Sequence, residues 1–185
     1  MPVKLGPAGV PLSCKGRTIV EGMDDIISLG LETMEVQTVR MVAPQHFEQY
    51  WQAGVLAYKA DFEMNIHGPY YSELLGDRLQ RNRSLAKIEA ALQAAKTINA
   101  RHVTLHAGHY GDMNRGQAAN EQVASVFKGI VQRIRDIWND DEEIYPVFPW
   151  LKDGTPAKIG VETSGRQELW GSLEEVLEVV NHVEG

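Results

Sequence analysis

The sequence is poor in cysteine and in net positive charge, and both shortages limit what the protein does. Cys14 is the only cysteine in 185 residues, so an internal disulfide and a Cys-x-x-Cys zinc motif are both excluded. We interpret its thiol as a bystander, because no pattern of cysteine chemistry surrounds it. A formal net charge of −7 argues against a broadly basic surface that binds nucleic acid by neutralising phosphates.

Long hydrophobic runs and nucleotide-binding fingerprints are also missing. Apolar runs reach only a few residues, and the N-terminus Met1-Pro2-Val3-Lys4 has no apolar signal core, whereas a membrane span needs about 20 residues. We therefore expect a cytoplasmic protein with no membrane partner. Neither a G-x-G-x-x-G or P-loop fingerprint nor a G-x-S-x-G elbow occurs, so nucleotide cofactors and serine hydrolysis are not indicated.

What remains is the composition of an ordinary globular protein, with 43% hydrophobic and 23% charged residues. The length predicts a single domain over residues 1–185. Four basic side chains form the one local candidate for nucleic-acid contact, although a solvated start of a helix accounts for them equally well. These residues are Arg78, Arg81, Arg83 and Lys87.

Short apolar segments alternate with helical patterns along the chain. Strands are predicted at 3–6, 34–36, 62–66, 103–105 and 159–161. Helix starts are predicted by capping-box spacing at Thr18/Glu21 and Ser172/Glu175 and by Pro44 as a first helical residue. Two further helices are predicted by apolar residues three or four apart over 85–98 and 123–137. An irregular proline-containing connection is predicted over 139–155. Five strand-then-helix units imply an α/β fold with parallel strands and right-handed crossovers.

Metal-competent side chains stand at three of the predicted strand ends. His67 and His106 follow the third and fourth strands, and Glu162 follows the fifth. In parallel α/β folds, functional groups sit at the carboxyl ends of the strands. A lone histidine at such a place is usually a hydrogen-bonded core residue, but three equivalent positions favour a site. Two imidazoles and one carboxylate suit zinc or another borderline divalent ion and leave a position open for water or substrate.

Four further polar or aromatic residues are interpreted from their positions relative to these strand ends. His109, just after His106, is a candidate to orient a ligand or contact a phosphate. Tyr70 offers, with its neighbour Tyr71, a stacking surface for bases or sugars, and loop packing is the alternative. Glu35 is either an acid that supports the metal ligands or a charged residue paired inside the fold. His102 begins the fourth strand at the far end and is expected at the surface.

Four motifs stand out at and near these strand ends: His67-Gly68-Pro69-Tyr70, Leu105-His106-Ala107-Gly108-His109, Val161-Glu162-Thr163-Ser164-Gly165 and the Arg-Asn-Arg-Ser segment at 81–84. Together they resemble the endonuclease IV family of apurinic/apyrimidinic endonucleases, within the xylose-isomerase-like barrel superfamily. The resemblance implies a (β/α)₈ TIM barrel with a cluster of zinc ions that cleaves DNA beside an abasic site. Another divalent ion such as Mn²⁺ is the alternative to zinc for the three strand-end residues.

The resemblance also implies roles for individual residues. His67 and His106 would bind one zinc ion, the catalytic Glu162 would bridge it to a second, and Tyr70 matches the aromatic that enters the DNA near the lesion. The family's later ligands, an aspartate, several histidines and a final glutamate, have no counterpart. We therefore expect a partial barrel of about five β/α units, truncated from a longer parent, whose open sheet edge favours self-association.

Two alternatives stand beside the endonuclease. A metal-dependent sugar isomerase or epimerase would share the barrel and use the ion to polarise a carbonyl or hydroxyl group; the net acidity favours this option. A non-catalytic, metal-binding partial barrel is the third.

Overall fold

A parallel sheet of four strands, laid side by side in chain order, forms the centre of the fold. The computed structural model describes residues 3–140 and 155–184, so most of the predicted 139–155 connection lies outside the described residues. The strands are β1 (Thr33–Gln37), β2 (Glu63–His67), β3 (His102–Leu105) and β4 (Lys158–Val161). Sequential parallel order is the arrangement that helical crossovers produce in a barrel.

Each strand is followed by a helix, as the sequence predicts. The helices are α1 (Ile19–Ser28), α2 (Phe47–Ala60, after a 3₁₀ turn at Pro44–His46), α3 (Arg78–Thr97), α4 (Gln117–Asn139) and α5 (Leu173–Glu184). Both predicted capping boxes are confirmed. A third one opens α3, where the Asp77 carboxylate accepts a hydrogen bond from the backbone of Gln80 at 2.8 Å. No helix in the described ranges combines the length and apolar character needed to cross a membrane.

The predicted strand at 3–6 is wrong in its position and extent. The chain instead runs extended along β1, with one parallel bridge between Ala8 and Glu35. Glu35 donates its backbone N–H to the carbonyl of Pro7, and Gly9 donates to the carbonyl of Glu35. Pro7 has no N–H to continue the ladder, and Pro11 ends the segment, so this first unit keeps the place of a strand without its regular pairing.

The two faces of the sheet differ sharply in polarity. One face packs against the helices and forms the core; its residues are Met34, Val36, Met64, Ile66, Val103 and Leu105. The opposite face, here called the inner face, carries half-buried polar side chains joined by hydrogen bonds. These are Thr33, Glu35, Gln37, Asn65 and Thr104. The alternation follows from the two-residue period of a strand.

Substitution of Leu105 by alanine tests the packed face. Its side chain is fully buried on β3, so we expect the truncation to lower the free energy of unfolding by about 2–5 kcal/mol through lost burial and the cavity left behind. Equilibrium urea unfolding measures the change. Leu79→Ala on the exposed side of α3 is the matched control and should change stability by less than about 0.5 kcal/mol. Equal losses in both variants would contradict this core.

Candidate metal centre

The strand register places the three predicted ligands at the same edge of the sheet. His67, the last residue of β2, pairs with Thr104, and Leu105 pairs with Val161. The ladder continues past the strand ends, because Gly68 donates to the carbonyl of Thr104 at 2.8 Å and Glu162 donates to that of Leu105 at 3.0 Å. His106 and Glu162 therefore emerge beside His67.

The three side chains converge. His67 Nε2 lies 2.8 Å from Glu162 Oε2, and His106 Nε2 lies 3.4 Å from the same oxygen. One ligand atom from each residue lies within 4.8 Å of the other two. Residues distant in sequence thus form one cluster that is compact enough to hold a single metal ion.

The surroundings of His67 test whether this cluster fits a metal ion. The residue is buried, and its Nδ1 lies 2.9 Å from the carbonyl oxygen of Gly68, so Nδ1–H donates there and Nε2 is the ring nitrogen that faces the cluster. Nε2 lies 2.8 Å from a carboxylate oxygen of Glu162. A proton or a metal ion between these two atoms would satisfy both. The donor set fits a borderline divalent ion such as zinc.

His106 and Glu162 form the more accessible side of the cluster. Burial lowers the pKa of His106 and nearby His67 adds to the shift, although the Glu162 carboxylate opposes it. A lowered pKa favours the neutral imidazole, the form that binds metals. The side chain of Glu162 is 44% exposed, so water or a substrate has access to this side.

Tyr70 lies directly over the cluster. Its ring stacks on that of His67 at a centroid distance of 4.1 Å and an interplanar angle of 11°. The hydroxyl donates a hydrogen bond to Gln37 Oε1 at the end of β1, a partner that no pattern in the sequence identifies. Tyr70 keeps 37% of its surface exposed and Tyr71 keeps 67%, so both aromatic rings of this loop are accessible from solvent.

His109 lies outside the group of three ligands. Its Nδ1 is 2.8 Å from Glu73 Oε1, and its backbone N–H donates to Glu73 Oε2 at 3.1 Å. Glu73 belongs to the loop after β2, and no sequence spacing links it to His109. The pair joins the loops after β2 and β3, while a ligand-orienting or phosphate-contacting role for His109 stays a prediction.

The remaining polar candidates take part in contacts on the inner face. Glu35 accepts hydrogen bonds from two neutral side chains, Gln37 at 2.7 Å and Thr104 at 3.3 Å. His102 begins β3, is exposed, and contacts Asn65 at 3.2 Å. Its position at the opposite end of the strand from His106 agrees with the sequence expectation.

Parallel strands in chain order, alternating helices and metal-competent side chains at the carboxyl strand ends define a protein of the (β/α)-barrel class. The chain belongs to the xylose isomerase-like TIM barrel family, whose model matches residues 23–184. The predicted fold class is thereby confirmed, and the superfamily is one that contains metal-dependent enzymes. A search of the curated proteins finds no match.

Solved structures with the same fold include sugar epimerases and an endonuclease. A D-tagatose 3-epimerase-like protein superposes with a TM-score of 0.65 at 16% identity over 96% of this chain and 60% of its own. A 3-keto-D-glucoside 4-epimerase from E. coli superposes with a TM-score of 0.64 at 11% identity, over 96% of this chain and 64% of its own. Endonuclease IV from Thermus thermophilus superposes with a TM-score of 0.56 at 19% identity, over 94% of this chain and 58% of its own.

At such low identity these likenesses establish the fold alone. The chain spans about three fifths of the length of these neighbours. The family match over residues 23–184 supports the superfamily of the sequence-based prediction, while membership of endonuclease IV in particular remains a proposal.

Loss of either histidine should abolish metal binding. We expect His67→Ala and His106→Ala to fall to background zinc content after dialysis, because two remaining ligands hold the ion poorly. Inductively coupled plasma mass spectrometry gives the content, and competition with a chromophoric chelator gives the affinity. His102→Ala, a histidine at the other end of β3, should retain wild-type zinc. Full zinc retention in both ligand variants would refute the assignment.

Proposed function

We propose that the chain is part of a zinc-dependent phosphodiesterase that cleaves the DNA backbone at abasic sites, as its resemblance to endonuclease IV implies. The observation that carries this proposal is the convergence of two imidazole nitrogens and one half-exposed carboxylate. Two histidines and a glutamate are a donor set of hydrolytic zinc sites, whereas ions that chelate sugar hydroxyls, such as Mg²⁺ and Mn²⁺, favour oxygen-rich sets.

The protein's own residues would hold and orient this centre. The Gly68 carbonyl fixes the His67 ring through Nδ1, and the stacked ring of Tyr70 restricts its rotation. Glu162 contacts both histidines and remains accessible to substrate. A zinc ion held there would supply Lewis acidity towards a phosphoryl oxygen. The resemblance assigns Glu162 a bridge to a second ion, and the three ligands here suffice for one.

Local features favour DNA as the substrate despite the acidic net charge. Helix α3 starts with Arg78 directly after the loop from β2, so its basic first turns lie at the same end of the sheet as His67. Basic side chains there can contact phosphates without a basic surface elsewhere. An abasic nucleotide is also easy to extrude, because it lacks the stacking energy of a base. Tyr70 would occupy the space next to the lesion.

A sugar isomerase or epimerase is the second candidate, and the inner face supports it. Its side chains offer a series of hydrogen-bonding groups that suits a polyhydroxylated substrate. Of the neighbours described above, one is a 3-keto-D-glucoside 4-epimerase and another is a D-tagatose 3-epimerase-like protein. The acidic net charge also suits an uncharged substrate better than DNA.

Nicking of a labelled abasic duplex separates these proposals. We expect the zinc-loaded protein to cut a tetrahydrofuran-containing duplex next to the lesion and to leave the intact duplex uncut. Chelation of the zinc or His67→Ala should abolish cutting, because the ligand set is then incomplete. Denaturing electrophoresis resolves the products.

The second candidate function is tested by a sugar assay on the same protein preparation, loaded with zinc or Mn²⁺. Ketohexoses incubated in D₂O would acquire deuterium at the epimerised carbon, which NMR detects. Sugar turnover without nicking would replace the leading proposal by the second candidate. Zinc binding with neither activity would favour the non-catalytic metal-binding module.

Tyr70 should matter for recognition through its ring rather than its hydroxyl group. We expect Tyr70→Ala to weaken binding of the abasic duplex about tenfold, because a stacking contact is worth roughly 1–3 kcal/mol. Tyr70→Phe keeps the ring and should bind within about twofold of wild type. Fluorescence anisotropy gives the dissociation constants. Tyr71→Ala is the neighbouring control, and an equal loss there would argue against a specific role for Tyr70.

A further inference from the structure

A buried carboxylate, Glu175, joins the two loops that carry His106 and Glu162. It lies in the first turn of α5 and is only 5% exposed. Its Oε2 accepts backbone N–H groups from Gly171 at 3.3 Å and Ser172 at 2.9 Å, at the end of the loop that begins with Glu162. Its Oε1 accepts the hydroxyl of Tyr110 at 2.5 Å, in the loop that begins with His106.

The backbone between these points is tightly held. Ser164 donates to the carbonyl of Gly171 at 2.7 Å, which closes the loop after β4 on itself. Gly171 adopts φ +132°, and a Cβ at this position would lie 3.3 Å from the carbonyl oxygen of Glu162. A glycine is therefore required where the loop returns against the metal-ligand backbone.

The two loops also pair with each other. Trp170 donates its backbone N–H to the carbonyl of Gly108 at 3.0 Å, and Tyr110 donates to that of Glu168 at 3.3 Å. The indole of Trp170 is almost fully buried and donates to Asn120 Oδ1 on α4 at 2.8 Å. Glu175 is thus connected to the loops that follow His106 and Glu162 by hydrogen bonds and buried contacts, which restrict the movement of one loop relative to the other.

We infer that Glu175 is a positioning residue, which fixes the separation of His106 and Glu162 by binding the loops that follow them. The inference rests on the metal centre of the proposed function. Burial alone would raise the pKa of Glu175, but hydrogen bonds from Tyr110, Ser172 and Gly171 outweigh it and the pKa is lowered. The carboxylate therefore stays ionised and accepts all of these donors, with Arg115 at 3.4 Å as a further partner.

The test measures the metal centre in the whole protein without any substrate. Glu175→Gln replaces the charged acceptor, and Tyr110→Phe removes one donor while leaving the carboxylate and its backbone bonds. Glu21→Gln, the equivalent capping-box residue of α1, is the matched control away from the metal centre. Zinc affinity comes from chelator competition, ligand geometry from the visible spectrum of the Co²⁺-substituted protein, and folding from circular dichroism.

We expect Glu175→Gln and Tyr110→Phe each to weaken zinc binding by up to about tenfold, the lower end of the loss seen when a direct hydrogen-bond partner of a metal ligand is removed. The Co²⁺ spectrum should also change, because the loops that carry His106 and Glu162 would no longer be held together. Glu21→Gln should leave both unchanged. Wild-type zinc affinity and Co²⁺ spectrum in folded Glu175→Gln and Tyr110→Phe would overturn the inference and leave Glu175 a helix cap. If Glu175→Gln does not fold, the result with Tyr110→Phe decides.

The outcome is separate from that of the activity assays. Zinc binding that depends on Glu175 supports the inference whether or not DNA is cut. Absence of zinc binding by the wild-type protein would overturn this inference and the metal-dependent function together.

Discussion

Parallel pairing beyond the strand ends is the constraint on which the rest of the structure depends. The bonds from Gly68 to Thr104 and from Glu162 to Leu105 set β2, β3 and β4 in a common register. A shift of one residue would turn His67 or Glu162 towards the helices, because side chains alternate between faces. The same register sends Ile66 and Leu105 into the core, so burial of apolar area stabilises the alignment that brings the three candidate metal ligands together.

Local signals in the sequence predicted most of this architecture. Capping boxes and helical periods identified the helices, and strand-end side chains identified His67, His106 and Glu162 as neighbours. The prediction of the first strand is wrong because it depends on the pairing with β1, where Pro7 has no N–H to continue the ladder of hydrogen bonds. The start of α3 is only partly predicted: the helical period begins at Leu85, and the basic residues from Arg78 to Lys87 have a helix start as one of two interpretations. Its cap by Asp77 and Gln80 lies in a stretch that has the composition of a polar loop.

The long-range partners could not be predicted in the same way. Gln37 beneath Tyr70 and Glu73 beside His109 contact residues more than thirty positions away. No period or motif marks such pairs, because they depend on how neighbouring loops fold over the sheet. Glu175 combines both kinds of contact: its capping-box spacing revealed one backbone contact, while the contact with Tyr110 required the packed structure.

Substrate choice on this scaffold depends on what surrounds the ion. A phosphodiester and a sugar both present oxygen atoms to a Lewis acid, so one strand-end metal centre is compatible with either reaction. In the proposed function, two imidazoles would favour zinc and hydrolysis, whereas the hydrogen-bonding inner face would favour a sugar. The stacked and half-exposed ring of Tyr70 lies between these two regions. If an extruded abasic nucleotide enters there, its phosphate would meet the ligands while its sugar faces Gln37, and both sets of residues would serve a single DNA substrate.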